Sequence, residues 1–275
     1  MESYKLTTAE SFDISKAFIL GRKAYDIGVR VVKWNELRGY DGYKRPLRIK
    51  PRPNGVDDIK QLLIHHAGQD RRDPGTMYKV LWDQRKLSVH FALDEFLYPS
   101  DGLMSGPIIW QFCDCDYITR HAGSMNKTSI GIEVCHFPAA WKDPHYYSDQ
   151  KNEKKNNLPH KVIEQPVYSK TRKVYAFTNG VTDALARLYA GCWVALGEQR
   201  TARNTGHFGL PPYFPRVDGE IPYGVITQPI LHKGLIAHRH CSKKKWDPAG
   251  LDFYWFENLV TEYFHSFRQN ILRVR

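Results

Sequence analysis

Ten residues, "IKQLLIHHAG" at 59–68, constrain this 275-residue chain more than any other stretch. Their hydrophobes stand at both parities, so a strand built from them must be covered on both faces, as in the centre of an α/β sheet. Further strand candidates are "SVHFALDE" (88–95), with Val89, Phe91 and Leu93 on one face and His90, Ala92 and Asp94 on the other, "PIIWQFCD" (107–114), "SIGIEVCHF" (129–137) and "GLIAHRHC" (234–241). Helices are expected between and after them. "TMYKVLWDQR" (76–85) suits a short helix with Thr76 as N-cap, and "TNGVTDALARLYAGCWVALG" (178–197) aligns Ala184, Leu185, Leu188, Tyr189, Cys192, Trp193 and Leu196 in one apolar stripe. "LDFYWFENLVTEYFHSF" (251–267) suits an aromatic-rich terminal helix. Strands interleaved with helices give an α/β class with a central mixed β-sheet flanked by helices.

The remaining stretches are less regular. Residues 15–32, "SKAFILGRKAYDIGVRVV", suit a helix interrupted by two glycines, and the Pro/Gly/Arg-rich 38–55 suits an extended connector. From 141 to 173 the composition is that of a loop longer than ordinary connections, hence an insertion or a flap.

A net charge of +11 favours polyanionic partners. The basic residues are spread along the chain, and there is no zinc-finger spacing, no G-x-x-x-x-G-K-[ST] and no G-x-G-x-x-G, so nucleic acid is not the expected partner. No apolar run approaches the ~20 residues of a membrane span. The N-terminus lacks the order of a signal peptide, which implies a protein that stays cytoplasmic until released or leaves by a non-standard route. Five cysteines, an odd number in a long chain, read as reduced thiols, the pair Cys113-x-Cys115 included.

The chemistry-bearing stretch is "KGLIAHRHCSKKKWDPAG" (233–250), with two histidines, a cysteine and an aspartate, all metal-ligand types. Catalytic zinc takes three protein ligands, and His-His-Asp is an acceptable set. The missing ligand must come from elsewhere; His65, His66 and His121 all fall at strand ends. A histidine at a strand end is ordinarily just hydrogen-bonded, so spacing alone leaves the choice open.

"LLIHHAG", "VHFALD", "HAG", "SIGIE", "AHR" and a final K-x-D-P-x-G occur here in the order found in the zinc-dependent N-acetylmuramoyl-L-alanine amidases (amidase type 2), a family that includes the peptidoglycan recognition proteins. The resemblance covers roughly 59–137 and 234–256. It implies a family domain over 56–275 with a polar insertion at 138–175, preceded by an N-terminal extension, 1–55, of unassigned role. It implies zinc held by His65, His238 and Asp247, with His238 preferred to His240 by family position. Glu133 of "SIGIE" would be the general base and Lys245, two residues before Asp247, the oxyanion-stabilising cation. His66, His90, His121 and His240 are left as pocket residues. The family's HAG histidine, here His121, is not among its metal ligands. The implied activity is hydrolysis of the bond between N-acetylmuramic acid and L-alanine in peptidoglycan or muropeptides; the alternative is a recognition module on the same fold that binds without cutting.

Overall fold

The computed structural model describes residues 1–8, 11–37, 39–45, 49–68, 74–94, 106–148, 160–202 and 212–274. Fourteen strands run in chain order among them: β1 Ser3–Lys5, β2 Ala17–Leu20, β3 Lys23–Asp26, β4 Val31–Lys33, β5 Ile49–Pro51, β6 Gln61–His66, β7 Phe91–Asp94, β8 Ile108–Gln111, β9 Tyr117–Thr119, β10 Ser129–Val134, β11 Val162–Val167, β12 Lys170–Tyr175, β13 Gly234–Ala237 and β14 Leu272–Val274. The helices are α1 Pro74–Tyr78, which continues as a wider π turn over Lys79–Gln84, α2 Asn179–Ala202, a single turn α3 His238–Cys241, and α4 Phe253–Gln269.

A six-stranded mixed sheet, ordered β13-β6-β10-β7-β8-β4, is the centre of the molecule. β13, β6, β10 and β7 are mutually parallel, β8 is antiparallel to β7, and β4 runs parallel to β8 at the edge. β6 is buried along its whole length, as its two-sided hydrophobicity requires. Leu62, Ile64, Ile130, Ile132, Leu235 and Phe91 face the two long helices, α2 and α4, which pack along each other. The opposite face carries Leu63, Ile236 and Ala92, with Trp82 and Leu81 from the turn after α1.

The stripe foreseen on α2 is buried, but so is most of the rest of the helix. The reason lies in the first thirty residues. β1, β2 and β3 join β14 in a second sheet, ordered β14-β1-β3-β2, and Phe18, Leu20 and Tyr25 of these strands, with Leu6 and Ile27 just after β1 and β3, belong to the same core as α2. Polar ties finish the contact: Tyr25 donates to Glu198 at 2.8 Å, and Gln199 donates to the Leu20 carbonyl at 2.6 Å. Strands β1–β3 therefore form the outer cover of α2, and β4 forms one edge of the central sheet.

Several local expectations are corrected. Residues 15–32 are strands, not an interrupted helix. Gly21 and Arg22 both adopt positive φ (57° and 65°), the two-residue turn that joins β2 to β3 as a hairpin. Helix α1 starts at Pro74, a residue suited to a first helical position, so Thr76 lies inside the helix rather than capping it. The strand at 234 stops at Ala237, and 238–241 coil into α3. Within the polar stretch 141–173, β11 begins at Val162 and pairs with β12 in a hairpin that runs on to Tyr175; residues 149–159 lie outside those described. Among the described residues no helix is long and apolar enough to cross a membrane.

Gly191 marks how closely the hairpin meets α2. A Cβ there would stand 2.5 Å from Ile27 Cγ2 and 3.1 Å from Phe18 Cε1. Gly191→Val is expected to destabilise the fold by about 1–3 kcal/mol through overpacking, more than the under ~1 kcal/mol gained in helix propensity. Urea unfolding checks it: an unchanged midpoint would mean that the hairpin is free to retreat from the helix.

Candidate metal and catalytic centre

Parallel pairing sets the site. Glu133 of β10 is the register partner of His65 on β6, so the two side chains leave the same face of the sheet side by side. β13 pairs with β6 up to Ala237↔Ile64, which brings His238, the next residue, to the same carboxyl end. Asp247 returns on the following loop. That loop is clamped to α3 by Arg239, whose main-chain N–H donates to the Asp247 carbonyl at 2.9 Å and whose buried guanidinium donates to the carbonyls of Trp246 and Pro248.

Three donor atoms converge there. His65 Nδ1 and His238 Nδ1 lie 2.9 Å apart, and Asp247 Oδ2 lies 2.9 Å from His238 Nδ1 and 3.3 Å from His65 Nδ1. A tetrahedral zinc ion with bonds of ~2.0–2.1 Å separates its ligand atoms by about 3.3 Å, so the triangle is close to the required size. All three residues are buried, and the donor set is two nitrogens and one carboxylate oxygen. These residues fit zinc.

Their electrostatics agree. Burial lowers His65 to about 4, with the neighbouring His238 adding to the effect, so its imidazole is neutral, as a ligand must be. For Asp247 burial would push the pKa up, but the hydrogen bond from His238 and the His65 ring beside it outweigh it and hold the carboxyl well below its usual range. Glu133 is the opposite case: burial, then the charge of Asp247, raises it to about 8. Its Oε2 is buried with no hydrogen-bond partner, and the carboxyl lines a small cavity with Thr76, Met77, Leu81 and Arg85. Lys245 is exposed on the loop, and its charge acts against the raised pKa of Glu133.

The four other candidate histidines divide. His121 reaches the cluster: its Nδ1 lies 2.9 Å from His65 Nε2, and its Nε2 lies 3.1 Å from the Ser129 hydroxyl. His66 is buried beside it with neither ring nitrogen partnered, its ring 4.8 Å from Trp246. Trp246 in turn meets Trp141 at 5.3 Å, and Arg172 of β12 lies over Trp141, so the insertion walls this flank. The other two are turned to the main chain, which corrects their reading as pocket residues. His90 accepts from the Gly131 N–H through Nδ1 and donates to the Tyr117 carbonyl through Nε2. His240, on α3 rather than on a strand with His238, accepts from the Ala237 N–H and donates to the Pro222 carbonyl at 2.8 Å. Both tie chain segments together. Cys113 and Cys115 are fully buried free thiols whose pKa values burial raises well above the ordinary range, which suits packing.

Arg239, the link from His121 to His65 and the Trp141–Trp246 wall escaped sequence reasoning. "AHRH" and "KWDP" contained the arginine and one tryptophan, but nothing local signals what they touch.

A family model described as N-acetylmuramoyl-L-alanine amidase (Amidase_2) matches residues 55–250. Among solved structures, the hydrolase AmiA of Staphylococcus aureus, in complex with its ligand, aligns at 13% identity over 86% of this chain and 82% of that one, with a TM-score of 0.40. AmpDh3 of Pseudomonas aeruginosa aligns at 17% identity over 51% of this chain and 46% of that one, with a TM-score of 0.32. No curated protein matches the sequence.

The raised Glu133 pKa has a consequence for stability. A carboxyl whose folded pKa is raised favours the fold while protonated; that contribution is complete below 4.5 and is lost as pH climbs through about 8. Glu133→Gln stays neutral throughout. In chelated protein its stability advantage over the wild type should grow between those two values and then level off. Urea unfolding at about pH 5, 7 and 9 reads this, and a gap that does not vary with pH would contradict burial as the cause.

Proposed function

The chain belongs to the N-acetylmuramoyl-L-alanine amidase family, and on that premise we propose that it is a zinc-dependent hydrolase of the amide joining the lactyl group of N-acetylmuramic acid to the L-alanine of the stem peptide. The observation that carries the reading is the convergence of His65, His238 and Asp247 on the sheet face that also presents the unpartnered carboxyl of Glu133.

In this mechanism His65, His238 and Asp247 hold the metal. Zinc, when bound, supplies a Lewis acid that makes water a stronger acid and polarises a carbonyl. Glu133 takes the proton from the attacking water and delivers it to the departing amine, so that water and amide become carboxylic acid and free L-alanine amine. A carboxyl with a raised pKa suits both halves of that transfer. Lys245 lends its ammonium charge to the oxygen that becomes negative when the carbonyl is attacked. The net charge of +11 concentrates the protein on an anionic wall at low salt. A module that binds without cutting would leave the half-buried Glu133, with its unpartnered Oε2, without a task.

Digestion of purified peptidoglycan, with the released ends identified by mass spectrometry, tests the bond. New L-alanine amino termini and intact glycan strands are expected. His65→Ala, His238→Ala and Asp247→Ala should each lose bound zinc and the product together. New reducing sugar ends, or full activity without zinc, would overturn the proposal.

Lys245 stands beside Lys243 and Lys244, and the three separate by experiment. Lys245→Ala should lower kcat by roughly 10²–10³-fold, the worth of one oxyanion-stabilising group, with zinc content unchanged. Lys243→Ala and Lys244→Ala should act only through salt-sensitive attraction to the wall. Equal, salt-dependent losses in all three would reduce Lys245 to one part of a basic patch.

A further inference from the structure

We propose that His121, held by Ser129, is a positioning residue that locks His65 in the tautomer whose Nδ1 bears a lone pair for the metal; this rests on the zinc reading above. Hydrogen-bond directions carry the inference. The Ser129 hydroxyl donates its single proton to the Met125 carbonyl at 2.7 Å. Its oxygen has therefore only acceptor capacity left for His121 Nε2, 3.1 Å away. His121 must place its proton on Nε2, and in the neutral ring that leaves Nδ1 as an acceptor. Nδ1 lies 2.9 Å from His65 Nε2, so His65 carries its proton there and its Nδ1, the atom facing His238 and Asp247, is bare.

The lock has something to oppose. Asp247 Oδ2, 3.3 Å from His65 Nδ1, is an acceptor that draws a proton onto Nδ1, which is the tautomer that does not bind a metal. His121 competes for the same proton from the other side of the ring.

The surroundings hold this chain of groups in place. Asn126 Oδ1 accepts from the N–H groups of His121 (2.9 Å) and Ala122 (2.7 Å), which fixes the "HAG" turn. Gly131 lies under the ring: a Cβ there would stand 2.5 Å from His121 Nδ1. Ser129 and Glu133 are the first and fifth residues of the same strand, so β10 supplies both the anchor of this chain and the proposed base. Partners that fix a metal-bound histidine's tautomer commonly alter metal affinity without touching the ion.

Two readouts test the proposal, neither of them activity. Long-range 1H–15N spectra of the metal-free protein report which nitrogen of His65 is protonated, and competition with a fluorescent chelator reports zinc affinity. The wild type should show His65 protonated at Nε2. His121→Ala should move the proton towards Nδ1 and weaken zinc by about 10–100-fold. His121→Asn, whose amide oxygen can stand where Nδ1 accepts, should recover the Nε2–H tautomer and most of the affinity. A wild-type His65 protonated at Nδ1 overturns the proposal, as does a His121→Asn no better than His121→Ala, because then the ring acts only by filling space. Because the tautomer is read without metal, a wild type that shows Nε2–H yet binds no zinc overturns the zinc reading alone.

Discussion

The parallel, in-register pairing of β13, β6 and β10 is the constraint on which the rest depends. In a parallel pair, register partners project to one face. Three strand ends meeting at one level therefore turn residues separated by up to 173 positions, His65 and His238, into neighbours. Glu133 needs no separate device to stand beside His65, since the pairing that makes the sheet does it. Asp247 and Lys245 come on a loop, and loops alone position poorly. Arg239 answers that weakness by donating to three successive carbonyls, those of Trp246, Asp247 and Pro248, with its guanidinium and main-chain N–H.

A sheet used this way must be covered on both faces, and that requirement explains the layers around it. α2 and α4 seal the face away from the cluster. α2 is too apolar all round to end the molecule, so β1–β3 and the C-terminal β14 form a further layer outside it. Both chain ends thus meet in one small sheet, and β4 continues directly from it to the central sheet's edge. The face that bears the cluster is left to short elements: the turn after α1, the "HAG" turn and the hairpin β11–β12.

How much of this was legible follows from where each signal resides. "LLIHH" was readable as a two-sided buried strand, and 178–197 and 251–267 as helices, because local hydrophobic pattern decides them. The motif order also brought His65, Glu133, His238, Lys245 and Asp247 into one list. Residues 15–32 were misread because Gly21-Arg22 looked like a helix defect, whereas its two positive φ values make a hairpin turn. The 162–175 hairpin was hidden by polar residues and by Pro166 within a strand, a position tolerated because β11 is an edge. His240 was set beside His238 because 234–241 was expected to be one strand, which fails once 238–241 coil into a helical turn. The role of His121 was out of reach, since it exists only through a contact with a ring 56 residues away.

Two carboxyls near one cluster are driven in opposite directions, and the proposed function gives that asymmetry a use. Asp247 is ionised because a hydrogen bond from His238 and the His65 ring beside it favour its charge; Glu133 resists ionisation because its carboxyl is desolvated, its Oε2 has no partner and the charge of Asp247 is close. Groups whose environments push their pKa values apart take different roles: the ionised one binds, the other moves protons. A divalent cation on the Asp247 side would cancel the charge that repels Glu133 and draw its pKa from about 8 back towards neutrality, where a base works best. Lys245 pulls in the same direction. On the proposed reading, the Asp247 charge that would attract a metal also adds to the burial that keeps Glu133 protonated in its absence.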